Sequence, residues 1–388
     1  MVTIEPVKIL FSSLGSHGHT YPLLPLAVAA REHGHDVTFA TTAAFADTIT
    51  RLGLEHFAAG MDMREAFGEV VARHGSPQQA GQAEPQLIAE VFGSTLPRRF
   101  HADLAPFIER WRPDLVVHEL GNPGAGLAAR TAGVPAVCHG FGRMWDSDEL
   151  PFVLDSLHGF AGELGVEVPA DNPMPLGNPY LDICPPSVQV KAFLAAHDTI
   201  PLRPVPFAEP GELPDWVVAH ERPLVYLTLG TAFGHADVLR AAIAGLAALE
   251  GTRVLVAAGP TVEVSALGDV PDHVTVLPWV PQAELLPHTD LVVHHGGSGT
   301  TLGSFASGVP QLLLPQGADQ FSNAEVVAEH GLGARLLGDA VTAEAVTEHA
   351  RALLSDPAVR EAGRAIAAEV AAMPSPAEVA ASLSDHVR

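Results

Sequence analysis

The chain has 388 residues, with 45 acidic and 21 basic side chains and a formal net charge of −24. This length suits two domains of about 150–200 residues each. The acidic balance excludes general binding to nucleic acid or to an anionic membrane surface, so an anionic ligand must be held by local donors. The two cysteines, Cys138 and Cys184, exclude a disulfide framework and indicate a reducing compartment.

The sequence shows no signal-type apolar segment, and no apolar run reaches the length of a membrane-spanning helix. We therefore expect a cytoplasmic protein. The composition, rich in alanine and glycine and poor in lysine, is typical of a high-GC bacterial source such as an actinobacterium.

The first half of the chain alternates short apolar runs with stretches of helical periodicity. The pattern predicts strands at residues 7–14, 37–41, 115–118 and 135–139, and helices at 23–33, 43–52, 86–111 and 124–132. Residues 15–22 are predicted to form a loop, and residues 61–85 to lack regular structure. Alternating strands and helices are the pattern of a doubly wound α/β domain with a parallel sheet.

Regularity falls between residues 143 and 214, where prolines cluster, and the interdomain linker is placed at residues 206–218. A second series then predicts strands at 224–229, 254–258, 274–277, 291–293 and 311–315, and helices at 236–249, 343–354, 358–371 and 377–387. The predicted organisation is one domain at residues 1–205, a second at 219–372 and a final helical segment at 373–388.

A glycine-rich turn, residues 296–301, follows the strand predicted at 291–293 and opens a helix. A strand that opens into a helix in this way presents unpaired N–H groups and the positive end of the helix dipole, which together bind phosphate. The hydroxyls of Ser298, Thr300 and Thr301 can add donors. A tight turn without a ligand is the alternative interpretation.

Three short motifs around this turn carry a family resemblance. In chain order they are Trp279-Val280-Pro281-Gln282, His295-Gly296-Gly297-Ser298-Gly299-Thr300 and Asp319-Gln320. The set resembles the donor-binding signature of family 1 (GT-B) glycosyltransferases, in particular the bacterial branch of calicheamicin- and macrolide-glycosyltransferase-like enzymes that decorate antibiotic aglycones. The resemblance implies two Rossmann-like domains facing across a cleft, the first for the acceptor and the second for the nucleotide-sugar. It also implies that the last helix crosses back to the first domain.

The resemblance assigns the donor residues as well. It implies that Trp279, Val280 and Gln282 bind the base and ribose of the nucleotide, and that Asp319 and Gln320 bind the transferred sugar. A tryptophan ring can stack on a base, and a carboxylate and an amide suit a polyol. The diphosphate is assigned to His295, Gly296, Gly297, Ser298, Gly299 and Thr300, together with Thr231 at the end of the strand at 224–229. For Thr231 an ordinary strand-to-helix turn is the alternative, and for Trp279 a half-buried turn residue.

His19 is the candidate general base. The segment Gly18-His19-x-x-Pro22 resembles the family element whose histidine activates the acceptor, and it follows the first predicted strand. An imidazole can take a hydroxyl proton near neutral pH, contributing about 10²–10⁴ in rate. Glu119, after the strand at 115–118, looks like the counterpart of the family's aspartate, which fixes the histidine tautomer. A loop histidine that caps a helix is the alternative.

Gly303 bears on the identity of the nucleotide. Family members that use UDP-sugars commonly carry a glutamate at this position, three residues after the Ser/Thr of the glycine-rich segment, where it bonds the ribose hydroxyls. A nucleotide without a 2′-hydroxyl does not need that carboxylate. We therefore expect a dTDP-sugar donor, with a UDP-sugar as the alternative.

Apolar residues in the less regular parts of the first domain are candidates for an acceptor pocket, and they suit a large hydrophobic aglycone. They are Met61, Phe67, Phe92, Phe141, Met144, Trp145 and Phe152, with ordinary core positions as the alternative. Asp146-Ser147-Asp148 resembles the metal site of a different glycosyltransferase fold, but two carboxylates in a polar loop are common. The histidine pairs His17/His19 and His294/His295 have no third metal ligand at a suitable spacing. We expect no metal and no other cofactor.

The sequence thus predicts an inverting glycosyltransferase that moves a deoxysugar to a natural-product aglycone, without distinguishing O-, N-, S- or C-attack. A non-catalytic glycosyltransferase-like helper protein and a sugar-nucleotide epimerase of the same fold are alternatives, and a homodimer is left open. An NAD-dependent Rossmann enzyme is disfavoured, because Gly15-Ser16-His17-Gly18 does not supply its G-x-G-x-x-G turn.

Overall fold

The computed structural model describes residues 6–74, 84–145, 151–207, 209, 211–230, 236–260 and 262–387. The chain divides into two compact units, Met1–Arg203 with Pro374–Arg388, and Pro204–Met373. The domain ends predicted at residues 205 and 372 lie close to these divisions. Each unit is built on a parallel β-sheet, so the predicted α/β class with two doubly wound domains is confirmed.

The sheet of the first unit has seven strands among the described residues, in the order β3-β2-β1-β4-β5-β6-β7, and all neighbours are parallel. The strands are β1 Lys8–Ser12, β2 Asp36–Thr41, β3 Glu55–Ala58, β4 Leu115–Glu119, β5 Ala136–His139, β6 Tyr180–Asp182 and β7 Thr199–Pro201. The chain order reverses between β1 and β4. In doubly wound sheets the carboxyl ends of the strands at such a reversal are where ligands bind.

Helices connect these strands. They are His17–Thr20, Leu24–Glu32, Ala46–Arg51, Met63–His74, Glu84–Glu90, Leu96–Trp111, Pro123–Thr131, Pro151–Glu163 and Lys191–Ala196. The helix Leu96–Trp111 buries Phe100, Leu104 and Ile108 at a spacing of four residues, which places them on one face. Each such side chain stabilises the fold by about 1.5–3 kcal/mol when fully buried.

The structure differs from the prediction at residues 61–85, because part of this stretch forms the helix Met63–His74. The carboxylate of Asp62 accepts the N–H of Arg64 at 2.8 Å, which satisfies a donor in the first turn. Ala66 and Val70, four residues apart, are buried. Only two fully buried positions leave a weak periodic signal, so the sequence pattern did not reveal this helix.

Two further stretches were predicted wrongly. The predicted loop at residues 15–22 contains the short helix His17–Thr20, followed by a 3₁₀ turn. The stretch at 143–214 contains the helix Pro151–Glu163 and the strands β6 and β7. These two strands have three residues each, which is too short for an alternating pattern to be recognised.

The sheet of the second unit has six parallel strands among the described residues, in the order β10-β9-β8-β11-β12-β13. The strands are β8 Leu224–Thr228, β9 Arg253–Ala257, β10 Val274–Leu277, β11 Leu291–His294, β12 Gln311–Leu313 and β13 Gly333–Arg335. The helices are Asp215–Val218, Ala236–Ala247, Gln282–Leu285, Ser298–Ser307, Gln320–Glu329, Ala343–Ser355 and Pro357–Ala372. The sequence pattern missed β13 and the helix Gln320–Glu329.

The C-terminal segment returns to the first unit. Its helix Pro376–Ala380 begins with a capping box between Ser375 and Glu378, and it packs on the helix Leu24–Glu32. The predicted single helix at 377–387 is divided, because the last turn, Leu383–Val387, is a 3₁₀ helix. Within the described residues, no helix combines the length and the apolar character needed to cross a membrane.

Candidate active site

His19 lies in the short helix that follows β1, and hydroxyl groups fix this turn to the strand. The hydroxyl of Thr20 donates to the carbonyl of Leu14 at 2.9 Å and lies 3.0 Å from the hydroxyl of Ser13. The side chain of His19 is 18% exposed, so its ring is accessible but held by its surroundings. The turn thus presents His19 at the carboxyl end of β1, in a helix rather than the predicted loop.

Glu119 meets His19 from the neighbouring strand. It is the last residue of β4, which pairs with β1, and it is fully buried. Its Oε1 lies 3.0 Å from Nδ1 of His19 and also accepts the N–H of Gly121. The structure therefore brings together the two predicted catalytic residues, and the longer glutamate side chain reaches the imidazole.

Gly121 leaves the space that this pair occupies. A Cβ at this position would lie 2.9 Å from Cε1 of His19 and 2.9 Å from Oε1 of Glu119. Real Cβ atoms do not approach other atoms this closely, so a side chain here must displace one or both groups. The sequence analysis did not single out Gly121, because its requirement arises from a contact between two distant segments.

The predicted acceptor residues are divided between the surroundings of His19 and the core. The ring of Phe141 lies 4.7 Å from that of His19, and Trp145 lies 6.2 Å from Phe141. Met61 and Met144 are 7% and 1% exposed and belong to apolar core clusters. These two residues therefore match the alternative interpretation, ordinary core positions.

Two more of the predicted acceptor residues, Phe67 and Phe92, pack together. The rings of Phe67 and Phe92 contact each other at 6.0 Å, and both pack against the core. The side chain of Phe152, the segment Asp146-Ser147-Asp148 and the predicted diphosphate residue Thr231 lie outside the described residues.

In the second unit the glycine-rich turn has the predicted form. The strand β11 ends at His294, Gly297 adopts an extended conformation as N-cap, and the helix Ser298–Ser307 follows. The N–H groups of the first helical turn have no acceptor within the helix, so they are available to an anion. Gly299 is exposed at this helix start.

His295 is enclosed by two glycines. A Cβ at Gly230 would lie 2.5 Å from its Cε1, and a Cβ at Gly297 would lie 2.4 Å from its Nε2. Burial lowers the pKa of His295 to about 4, and the carbonyl of Thr228 opposes this shift. His295 is therefore neutral at physiological pH and can act as a hydrogen-bond donor, without adding positive charge.

The hydroxyls expected to face a phosphate bond within the protein instead. Ser298 donates to Oδ2 of Asp319 at 2.7 Å, and Thr300 donates to Oε1 of Gln282 at 3.0 Å. Thr301 donates to the carbonyl of Gly297 at 3.1 Å. This arrangement leaves the backbone N–H groups as the main anion donors at the turn.

The predicted base and ribose residues have different environments. The side chain of Trp279 is 47% exposed and packs beside Gly211, where a Cβ would lie 2.5 Å from the indole ring. Val280 is 4% exposed and belongs to a core cluster, so only its backbone can meet a ligand. Because Oε1 of Gln282 accepts from Thr300, its amide N–H groups are directed elsewhere.

The two predicted sugar residues also differ. Asp319 lies at the start of the helix Gln320–Glu329, with one carboxylate oxygen bonded to Ser298. Gln320 is 2% exposed, and its Oε1 accepts the N–H groups of Gln316 and Gly317 at 2.7 and 3.2 Å. The side-chain amide oxygen of Gln320 thus fixes the backbone of the loop before the helix.

Comparison with a solved structure shows which class of enzyme this protein belongs to. Over 98% of this chain and 99% of that chain, the protein is similar to the glycosyltransferase SsfS6 of Streptomyces sp. SF2575, complexed with thymidine diphosphate, with 27% identity and a TM-score of 0.78. Together with the two doubly wound units, this similarity shows a glycosyltransferase of the GT-B fold, as the sequence motifs predict.

Sequence relatives define the family. The chain is 32% identical to the L-demethylnoviosyl transferase of Streptomyces niveus over 98% of this chain and 99% of the relative. It is 33% identical to the elloramycin glycosyltransferase ElmGT of Streptomyces olivaceus over 97% of each. The N-terminal and C-terminal domains described as erythromycin biosynthesis protein CIII-like match residues 28–230 and 242–385. The protein belongs to this family of antibiotic-biosynthesis glycosyltransferases.

Proposed function

We propose that the enzyme transfers a deoxysugar from a dTDP-sugar to a hydroxyl of a hydrophobic natural-product aglycone, with inversion at the anomeric carbon. The observation that carries the mechanism is the 3.0 Å contact between Nδ1 of His19 and Oε1 of Glu119. With the hydrogen on Nδ1, facing this carboxylate, Nε2 on the far side of the ring carries the lone pair that takes the acceptor proton.

Glu119 acts through His19. Its buried carboxylate orients the imidazole and stabilises the imidazolium that forms when the acceptor hydroxyl loses its proton. The activated oxygen then attacks the anomeric carbon in line with the departing diphosphate. Phe141, next to the His19 ring, supplies an apolar wall that suits a hydrophobic acceptor.

The glycine-rich turn of the second unit receives the leaving diphosphate. Negative charge develops on its oxygens as the glycosidic bond breaks, and preorganised N–H donors at a helix start stabilise such charge. The neutral His295 adds a donor, and Trp279 offers an exposed ring for the base. This mechanism uses no metal ion and no other cofactor.

The surroundings of Gly303 favour dTDP over UDP. A Cβ here would lie 2.7 Å from Cδ1 of Leu286 and 3.6 Å from Cγ of Pro206, so the position is buried among apolar atoms. A carboxylate that bonds a 2′-hydroxyl has neither space nor polar surroundings at this point. The thymidine diphosphate in the similar enzyme SsfS6 agrees with this choice of nucleotide.

The direct test of the donor is calorimetric titration of the full chain with dTDP, UDP and NAD, without added metal. We expect dTDP to bind at least about tenfold more tightly than UDP, because one lost hydrogen-bonding group costs about 1–3 kcal/mol. NAD should not bind. Equal or tighter binding of UDP would refute the ribose argument, and binding of neither nucleotide would favour a non-catalytic helper protein.

A further inference from the structure

The peptide groups on both sides of Gly296 are held by buried side chains. Nδ1 of His294 accepts the N–H of Gly296 at 3.1 Å, and Nδ2 of Asn323 donates to the carbonyl of Gly296 at 2.8 Å. Gly296 has a φ of 94°, and a Cβ here would lie 2.9 Å from the carbonyl oxygen of Gln320. Glycine is therefore required, and its flexibility means that other groups must fix the turn.

His294 can accept this bond because its other nitrogen fixes the tautomer. Nε2 lies 2.9 Å from Oε1 of Gln311 on the neighbouring strand β12. An amide oxygen only accepts, so Nε2 carries the hydrogen and Nδ1 keeps its lone pair. Full burial lowers the pKa of His294 to about 3, with a smaller effect from His295, so the ring stays neutral.

Asn323 connects the turn to the predicted sugar residue. Its Nδ2 also lies 3.2 Å from Oδ2 of Asp319 and 3.2 Å from the hydroxyl oxygen of Ser298. Ser298 donates to the same carboxylate oxygen. The side chain of Asn323 is buried, so these bonds are shielded from water. One network thus runs from the sheet through Gly296 to Asp319.

We propose that His294 and Asn323 are positioning residues for the donor nucleotide. By fixing the peptide groups around Gly296, they direct the N–H groups of the following helix start at the diphosphate before the ligand arrives. Preorganised donors avoid the ordering cost of binding, so loss of either bond weakens nucleotide affinity. This inference rests on the proposed function, because it concerns the same nucleotide site.

The test compares two replacements of His294 by calorimetric titration of the full chain with dTDP. In His294→Asn the amide oxygen takes the place of Nδ1 and still accepts from Gly296, whereas the bond to Gln311 is lost. In His294→Gln the longer side chain keeps the bond to Gln311 and loses the acceptor for Gly296. Each variant removes the ring and one hydrogen bond, so a purely structural role affects both alike.

We expect the dTDP affinity of His294→Asn to stay within about threefold of that of the parent. The dTDP affinity of His294→Gln should be about tenfold weaker than that of the parent, because a buried hydrogen bond is worth about 1 kcal/mol and an unsatisfied buried donor costs more. Thermal unfolding midpoints of the two should agree. If both bind dTDP equally while folded, the positioning role is wrong. If the parent itself binds no dTDP, the proposed donor is wrong instead.

Asn323→Leu provides a second test if either histidine variant fails to fold. It keeps the approximate side-chain shape and removes the donor facing the Gly296 carbonyl, without adding a charge beside Asp319. We expect a loss of dTDP affinity of about tenfold or more. Affinity equal to that of the parent would overturn the proposal.

Discussion

Gly121→Ala tests the geometry of the catalytic pair without removing either group. The added methyl would lie 2.9 Å from Cε1 of His19 and 2.9 Å from Oε1 of Glu119. Ordinary carbon contacts need about 3.5–4.0 Å, so each of these two contacts is too short by about 0.6–1.1 Å and the side chains must move. A misplacement of about 1 Å near the reacting atoms can cost about 10²-fold in rate. We expect kcat to fall by about 30- to 100-fold.

The assay measures turnover with a donor and an acceptor that the parent enzyme uses, together with dTDP affinity by calorimetry. The affinity for dTDP should stay within about twofold, because neither His19 nor Glu119 is among the residues assigned to the nucleotide. Gly162→Ala is the matched control, since a Cβ there meets nothing within 4 Å. Unchanged turnover in Gly121→Ala, with the fold intact, would refute the role assigned to the His19 contact.

Two further predictions concern stability. Burial lowers the pKa of His118 and His139 to about 4. As the pH falls from 6.5 to 4, the unfolded chain therefore binds protons that the folded chain does not. Each of these histidines lowers the unfolding free energy by about 1.4 kcal/mol per pH unit in this range. The buried His294 and His295, with pKa values lowered to about 3 and 4, act in the same direction. Burial raises the pKa of Asp182 to about 6, which acts in the opposite direction, so the four histidines and this aspartate leave a net loss of about 4 kcal/mol per pH unit between pH 6 and 4. Urea unfolding at pH 7 and 5 should show the loss and His139→Gln should reduce it; a slope unchanged by that variant would contradict the account. Gly303→Glu should lower the unfolding free energy by about 1–3 kcal/mol because Leu286 occupies the space, and an unchanged urea midpoint would argue against this packing.

The sequence predicted correctly those features that depend on the residues of one short segment alone. The strand predicted at 274–277 is Val274–Leu277, and the helix that the glycine-rich turn was predicted to open is Ser298–Ser307. The family motifs are local in the same way. They led directly to the GT-B fold and to the turn at residues 296–301.

The pairing of His19 with Glu119 was expected from the family resemblance, but other features that depend on contacts between distant segments were not predicted. The need for a glycine at position 121 appears only when His19 and Glu119 meet across two strands. Likewise, no local pattern shows that Ser298 bonds to Asp319, or that Asn323 holds the carbonyl of Gly296. Hydroxyl and amide groups bond to whichever partner the fold brings close, and sequence spacing does not reveal that partner.

The central claim is that His19 removes the acceptor proton while a separate site holds the nucleotide. The most direct measurement is the turnover of His19→Ala at saturating donor, with dTDP affinity determined on the same sample. We expect turnover to fall by about 10²–10⁴-fold, because the general base is lost, while dTDP affinity stays within about twofold. Turnover equal to that of the parent would contradict the account.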